Sequence, residues 1–218
     1  MEQREAKYRQ INRIFTAFYL IFCAALVVIY AIQRDMYHLG ISAGAALVPA
    51  GIVLFYRIFH FRPVEQLNFL VLAFLFLAWP LGSCVDFYRM VPGFDKLAHT
   101  LSGAFVGLLC LILYYALKPG HAIESRDCAL ALCFMFFGSM AVAGLWEIAE
   151  YFVNLITGID VQRVATTGVA DTVQDMIVCL IGTLAYLPLV RRACHGKPSV
   201  WTGMAEAFIQ SNPQIVRQ

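Results

Sequence analysis

Six apolar stretches, each about as long as a lipid bilayer is thick, set what this chain can fold into. A helix of about 20 residues rises far enough to cross a hydrocarbon core of about 30 Å. We expect Pro49 and Pro80 to kink the second and third spans without ending them, because the apolar pattern continues on both sides. The sequence therefore predicts an all-α polytopic integral membrane protein, a six-transmembrane-helix bundle. The predicted spans are about 14–33, 39–58, 67–86, 96–117, 129–152 and 171–190.

Composition supports this fold class and excludes several functions. Hydrophobic residues make up 61% of the chain and charged residues 14%, against roughly 45–50% and about 25% in a soluble domain. Lipid must cover the excess apolar surface. A formal net charge of +2 is too small for the electrostatic footprint of a nucleic-acid binder. We expect membrane lipids as partners and no nucleic acid.

Lysine and arginine residues are distributed unevenly between the two ends of the predicted spans. The end away from the termini has four of the sixteen, which are Arg34, Arg89, Lys96 and Arg163. The other twelve lie at the end that the termini share, from Arg4 through to Arg217. Because basic residues hold connecting loops on the cytoplasmic side, both termini are predicted to be cytoplasmic.

This topology divides the chain into three parts. Residues 1–13 form a cytoplasmic N-terminal segment, and 14–190 form the transmembrane domain. Residues 191–218 form a cytoplasmic tail, in which Trp201 and Phe208 indicate a short surface helix.

Half of the acidic residues fall at the predicted outer end of the spans. They are Asp86, Asp95, Glu147, Glu150, Asp160, Asp171 and Asp175. Three pairs of ligand-type residues lie three or four positions apart, and each pair therefore shares one helix face. These pairs are Asp95 with His99, Glu147 with Glu150, and Asp171 with Asp175. Since charged groups inside a membrane usually face a bundle interior or a wet cavity, we expect the pairs to face one another in an outward-facing polar pocket.

Carboxylates held together in a low dielectric repel one another unless positive charge compensates them. Lys96 and Arg163 supply part of that charge, and a divalent metal ion would supply the rest. Carboxylates with one imidazole suit Mg²⁺ or Mn²⁺, or Zn²⁺ or Fe²⁺ with mixed ligands. The predicted metal ligands are His99, Glu147, Asp171 and Asp175. Asp95 or Glu150 would act as the general base, and Lys96 or Arg163 would bind a substrate phosphate.

Other interpretations of the same residues stay open. Asp95 and Asp171 begin helices, where the helix dipole favours acidic side chains without any ligand. Glu147 lies near a helix C-terminus, where an ion pair with Arg163 or Lys96 would compensate its charge. Intramembrane carboxylates also serve ion- or proton-coupled transporters. A non-catalytic protein that binds lipid or a partner could use the acids to fix its fold.

The order of these motifs resembles that of a known family. Asp95-Lys96-x-x-His99, Trp146-Glu147-x-x-Glu150-Tyr151, Gly168-x-x-Asp171-Thr-x-x-Asp175 and Gly182 together resemble the YjdF-like family of bacterial inner-membrane proteins. The pattern is also similar to that of the VanZ-like proteins, which have Asp-Lys-x-x-His, a Glu in the next span, a loop Arg and an Asp before a Gly-rich helix. The match covers about residues 80–190.

The resemblance implies a multi-pass protein of the bacterial inner membrane. VanZ-like proteins are associated with resistance to teicoplanin, which implies work on lipids or envelope precursors at the outer leaflet. Glu150 and the Asp171/Asp175 pair depart from the VanZ-like pattern, so the acidic pocket is what the resemblance transfers. We therefore expect a metal-dependent hydrolase or transferase that acts on a lipid or lipid-linked envelope substrate.

Overall fold

Six helices in a computed structural model of the chain are long and apolar enough to cross a membrane. They are Gln3–Gln33, Met36–Ile58, Glu65–Cys84, Phe94–Leu117, Ser125–Thr157 and Ala170–Cys194. The structure describes residues 2–118, 120–121 and 123–216, and every regular element within them is helical. The predicted all-α polytopic membrane protein is confirmed. The orientation stays a prediction, and Arg217, one of the basic residues that support it, lies outside the described residues.

Several observed helices extend beyond the apolar stretches that predicted them. Helix α1, Glu2–Gln33, begins well before residue 14, because 3–13 contains neither Gly nor Pro to break it. Helix α7, Cys128–Thr157, continues past residue 152 and ends where Gly158 takes the left-handed conformation with φ of 73°. Helix-breaking residues such as Gly158 therefore determine where a helix ends. The apolar stretch indicates only the part of the helix that can cross the membrane.

The chain divides into two compact units, Met1–Phe94 and Asp95–Gln218. In the first unit, α1 packs against α2 (Met36–Ala46) and α4 (Glu65–Phe76). The Phe76 ring lies 5.2–5.6 Å from the rings of Phe15, Phe18, Tyr19 and Phe22, all on α1. Tilted and edge-on aromatic rings thus form the centre of this unit.

Pro49 and Pro80 have different effects on the helices of the first unit. The second span is interrupted at Leu47, after which α3 (Val48–Ile58) begins with Pro49 in its first turn, a position where the missing N–H costs no hydrogen bond. In the third span, α4 continues into a π-helical segment, Leu77–Cys84, that contains Pro80. A proline cannot donate to the preceding turn, and the wider helix accommodates that loss. Both apolar spans continue beyond their proline, as the sequence predicts.

A close crossing of α6 (Phe94–Leu117) and α9 (Ala170–Cys194) organises the second unit. A Cβ atom added at Gly103 would overlap the backbone carbonyl of Cys179, and one at Gly182 would overlap that of Thr100. Only glycine allows this approach, as in other tightly packed membrane helices. Ser139 of α7 joins the crossing, since its Oγ donates to the Gly103 carbonyl at 3.1 Å.

The C-terminal segment forms the helix that the sequence predicts. Helix α10, Val200–Ser211, is preceded by Ser199, whose hydroxyl accepts a hydrogen bond from the Thr202 backbone N–H. Phe208 is buried, whereas Trp201 is exposed. Because the Tyr115 hydroxyl of α6 donates to Glu206 at 3.1 Å, α10 is docked on the spans of its own unit.

Candidate functional site

The Lys96 ammonium lies among three carboxylates at the start of α6 and α9. Its Nζ donates to Asp171 Oδ1 and to Asp175 Oδ1, both at 2.7 Å, and to Asp95 Oδ2 at 3.3 Å. Asp171 and Asp175 are buried, and the Lys96 side chain is 26% exposed. The two aspartates share a face of α9 because they are four residues apart, and the glycine crossing brings that face against α6.

His99 extends this cluster one turn further along α6. Its Nε2 lies 3.5 Å from Asp95 Oδ1 and 3.8 Å from Asp175 Oδ1. The ligand atoms of Asp95, His99 and Asp175 all lie within 4.8 Å of one another. Among the described residues, this is the group of three or more that could hold a metal ion. We call Asp95, Lys96, His99, Asp171 and Asp175 the charged cluster.

Cys179 supports the histidine from α9. Its Sγ donates to the His99 carbonyl oxygen at 3.2 Å and lies 3.8 Å from His99 Nδ1. Cys179 follows Asp171 and Asp175 at the same four-residue step, so the spacing could have revealed it. Its place in an apolar stretch conceals this role, since a buried cysteine usually only packs.

Glu147 is a buried residue of α7, and its hydrogen-bond partner is a side-chain amide. Gln162 Nε2 donates to the Glu147 carbonyl at 3.0 Å, to Glu147 Oε2 at 3.4 Å and to Thr172 Oγ1 at 3.3 Å. Gln162 is itself buried. A neutral amide in a loop gives no signal in the sequence, and Gln162 is therefore a second residue, after Cys179, that sequence reasoning missed.

Glu150 and Arg163 complete the predicted set. Trp146 Nε1 donates to Glu150 Oε1 at 2.8 Å in the C-terminal half of α7. Arg163 precedes the short helix α8 (Val164–Thr167), and its Nε lies 3.9 Å from Asp171 Oδ2. Asp160 caps α8 through the Val164 and Ala165 backbone N–H groups, which gives that carboxylate a structural role.

The structure thus brings five of the eight predicted site residues into one cluster. Arg163 lies at its edge beside Asp171, whereas Glu147 and Glu150 have their hydrogen-bond partners on α7 and in the following loop. The five combine anionic oxygens, one imidazole and one ammonium. Such an arrangement can bind a cation, hold a proton, or hold α6 and α9 together.

Comparison with known proteins gives a family but no activity. No curated protein and no solved structure matches the chain. The family model described as "Predicted membrane protein (DUF2238)" matches residues 15–195, which include part of the first span, the other five spans and the charged cluster. The match supports the membrane class, and the relation to VanZ-like proteins stays a prediction. The chain belongs to this DUF2238 family of predicted membrane proteins.

Proposed function

We propose that the chain is a bacterial inner-membrane hydrolase or transferase that uses a divalent metal ion and acts on a lipid or lipid-linked envelope substrate. The observation that carries the proposal is the convergence of Asp95, His99 and Asp175 from two helices, with ligand atoms within 4.8 Å of one another. Two carboxylates and one imidazole form the mixed donor set that Mn²⁺, Fe²⁺ and Zn²⁺ accept.

The spacing of these atoms suits one ion. With bonds of roughly 2.1 Å, neighbouring ligand atoms lie about 3.0 Å apart around an octahedral ion and about 3.4 Å apart around a tetrahedral one. His99 Nε2 lies 3.5 Å from Asp95 Oδ1 and 3.8 Å from Asp175 Oδ1. A contraction of a few tenths of an ångström would therefore bring His99 Nε2 and each of the two carboxylate oxygens to the separation found around a tetrahedral ion. This geometry favours Asp95 as a ligand over its predicted role as a base.

Lys96 would compete with a metal ion for the Asp175 Oδ1 oxygen. Its ammonium lies 2.7 Å from Asp175 Oδ1, the atom that also faces His99. Asp171 Oδ1 lies at the same distance from the ammonium. The lysine can therefore release Asp175 to a metal ion and keep Asp171 as its partner. In this proposal Asp171 holds Lys96 and is not itself a ligand, and Glu147 stays available as a further ligand.

A bound divalent ion would supply Lewis-acid activation of water or of a phosphoryl oxygen. The remaining work belongs to side chains. Glu150, half-buried and oriented by Trp146, would accept the proton of the attacking water or acceptor hydroxyl. Arg163, beside Asp171, would neutralise the substrate phosphate. The phosphorus–oxygen bond of the leaving group breaks as the new one forms.

Metal binding is the first test. We expect the purified full-length chain in detergent to bind Mn²⁺, measured by calorimetry, and expect His99→Ala and Asp175→Asn to weaken binding at least about tenfold, as the loss of a ligand does. The matched controls are His195→Ala and Glu124→Gln, which remove an exposed imidazole and an exposed carboxylate outside the cluster. Equal Mn²⁺ binding by the variants and the controls would exclude the metal site.

Activity is the second test. Vesicles that contain a polyprenyl pyrophosphate should release phosphate with the wild-type chain and Mn²⁺. Glu150→Gln should stop turnover while Mn²⁺ binding persists, because it removes the proposed base and no proposed ligand. If the chain binds Mn²⁺ but releases no phosphate from this substrate or from a phospholipid, it is a metal-binding protein. That result would contradict the proposed enzymatic activity.

The geometry also favours a second function, ion- or proton-coupled transport. Lys96 partly balances the cluster's carboxylates without a metal ion, and paired charged residues within a membrane mark ion pathways and proton relays. Proton flux into proteoliposomes that Asp175→Asn abolishes and EDTA does not affect would support transport. If flux and Mn²⁺ binding are both absent and the cluster variants only lower stability, the remaining alternative is a non-catalytic binding protein.

A further inference from the structure

The Nδ1 atom of His99 faces the thiol of Cys179. Nδ1 and Sγ lie 3.8 Å apart, and within the described part of the chain Nδ1 has no other hydrogen-bond partner. The second ring nitrogen, Nε2, faces the carboxylates of Asp95 and Asp175. The two nitrogens of the ring therefore have different partners, a sulfur atom on one side and carboxylate oxygens on the other.

The position of this thiol is fixed by the crossing of α6 and α9. The Cys179 carbonyl lies so close to α6 that a Cβ atom at Gly103 would overlap it. Cys179 is buried, and its Sγ donates to the His99 carbonyl oxygen at 3.2 Å. Ser102 Oγ donates to the same oxygen at 2.7 Å and lies 3.3 Å from Sγ. The sulfur atom is therefore held against α6 by contacts that need no ligand.

These contacts determine where the hydrogen atoms lie. Because the thiol hydrogen points at the His99 carbonyl oxygen, the sulfur atom presents a lone pair to the imidazole ring. Nδ1 is then the donor in its contact with Cys179 and carries a hydrogen. A neutral imidazole has only one N–H, so Nε2 keeps the lone pair that a metal ion needs.

We propose that Cys179 is a positioning residue for the metal ion, on which it acts through His99. By accepting the Nδ1 hydrogen, its thiol directs Nε2 to the ion, on the side of the ring where Asp95 and Asp175 lie. This role rests on the proposed function, because it needs the metal site. Cys179 is not itself a ligand, since the group of described residues whose ligand atoms lie within 4.8 Å of one another consists of Asp95, His99 and Asp175.

A thiol in this position also affects the chemistry of the ion. A histidine ligand usually donates its other N–H to a carboxylate, a carbonyl or water, and such a partner raises the basicity of the imidazole. Sulfur is a weak acceptor, so the His99 ring stays close to a neutral imidazole. The ion then keeps more of its positive charge, which favours activation of a bound water.

Metal affinity is the first measurement, by calorimetry of the full-length chain in detergent with Mn²⁺. Cys179→Ala leaves the Nδ1 hydrogen without an acceptor and should raise the Kd for Mn²⁺ about tenfold. Cys179→Ser keeps a donor and an acceptor at this position, and its Kd should stay within about threefold of the wild-type value. The matched control is Cys110→Ala, which removes a buried thiol about 16 Å further along α6 and should change the Kd less than about twofold.

The position of the ring hydrogen is the second measurement, and a purely structural role of Cys179 would not change it. The probe is the nitrogen NMR spectrum of the histidine-labelled chain with Zn²⁺ bound. The signals that His99→Ala removes should show Zn²⁺ on Nε2 and the hydrogen on Nδ1. Cys179→Ala should shift the Nδ1–H signal to that of a ring without an acceptor, and Cys110→Ala should leave it in place.

The outcomes separate this role from the proposed function. If the wild-type chain binds neither Mn²⁺ nor Zn²⁺, the metal site and the role of Cys179 are both overturned. If the wild type binds Mn²⁺ and Cys179→Ala binds it equally well, or if Zn²⁺ lies on Nδ1, only the role of Cys179 is overturned. An equal loss of affinity in Cys110→Ala would show a general effect of removing a buried thiol and would also overturn this role.

Discussion

The two units of the chain are stabilised by different kinds of contact, although both are built from apolar helices. In the first unit, aromatic rings surround Phe76. Both units have buried hydroxyls without a hydrogen-bond partner among the described residues, Tyr19 in the first and Tyr114 and Tyr186 in the second. In the second unit, buried polar groups bond to one another, as Ser139 and Thr183 do at 2.8 Å. The contrast is therefore between an aromatic centre in the first unit and, in the second, a helix crossing that carries buried polar contacts and the charged cluster.

The glycine crossing gives the sharpest test of this difference. Gly182→Leu places a side chain where the Thr100 carbonyl lies, and we expect it to cost more than about 3 kcal/mol of unfolding free energy. The measurement is SDS-induced unfolding of the detergent-solubilised chain. Gly144→Leu is the control, because nothing lies within 4 Å of the position of its Cβ. Equal effects would show that backbone contact does not hold the second unit together.

The aromatic centre of the first unit gives the next largest effect. Phe76→Ala removes the ring that four α1 side chains contact, and it should cost about 3 kcal/mol. Phe137→Ala, on an exposed part of α7, is the control and should cost much less. If the variant at Phe76 unfolds like the wild type, packing is not what stabilises the first unit.

Ion pairs should matter unequally in the two units. Lys96→Met leaves buried Asp171 and Asp175 without their shared cation, and we expect a loss of about 2 kcal/mol. Addition of Mn²⁺ should restore part of that loss if a metal ion can replace the ammonium. Arg9→Met breaks a pair whose arginine is 59% exposed, so it should cost less than about 1 kcal/mol. Equal losses would contradict the contrast between the units.

The smallest effect is expected at the N-cap of α2 in the first unit. His38 donates to Asp35 through its backbone N–H at 3.0 Å, and this bond, with the contact to the His38 ring, holds the pKa of Asp35 below its usual range. A lowered pKa in the folded state stabilises the fold at neutral pH. That contribution is lost as the pH falls below the usual Asp pKa of about 3.9.

The corresponding variants separate the cap from the charge. Asp35→Ala should lower Tm slightly at pH 7, because it removes both the charge and the cap, and by less at acid pH, where the neutral carboxyl of the wild type still caps the helix. Asp35→Asn keeps a capping side chain and should lose only the part that depends on pH. A Tm difference between Asp35→Ala and the wild type that stays constant with pH would show that the charge contributes nothing.

Much of the fold follows from the sequence, and the site follows in part. Length and hydropathy predicted six spans, and helical spacing predicted that Asp171 and Asp175 share one face of their helix. Spacing within a helix does not say which helices meet. The partner of Glu147 therefore could not be predicted, because Gln162 reaches it from a loop whose conformation depends on the packed helices. The position of Lys96 among three carboxylates likewise depends on how closely α6 approaches α9.

The distance between Lys96 and Asp175 depends on the angle at which α6 and α9 cross. From the crossing at Gly103 and Gly182, Lys96 and Asp175 are each seven residues away, an arm of about 10 Å on either helix. A change of about 10° in the crossing angle would move the two charged groups apart by nearly 2 Å, enough to break contacts of 2.7 Å. A small rotation of two rigid helices is thereby converted into the separation of a buried charge from its partners.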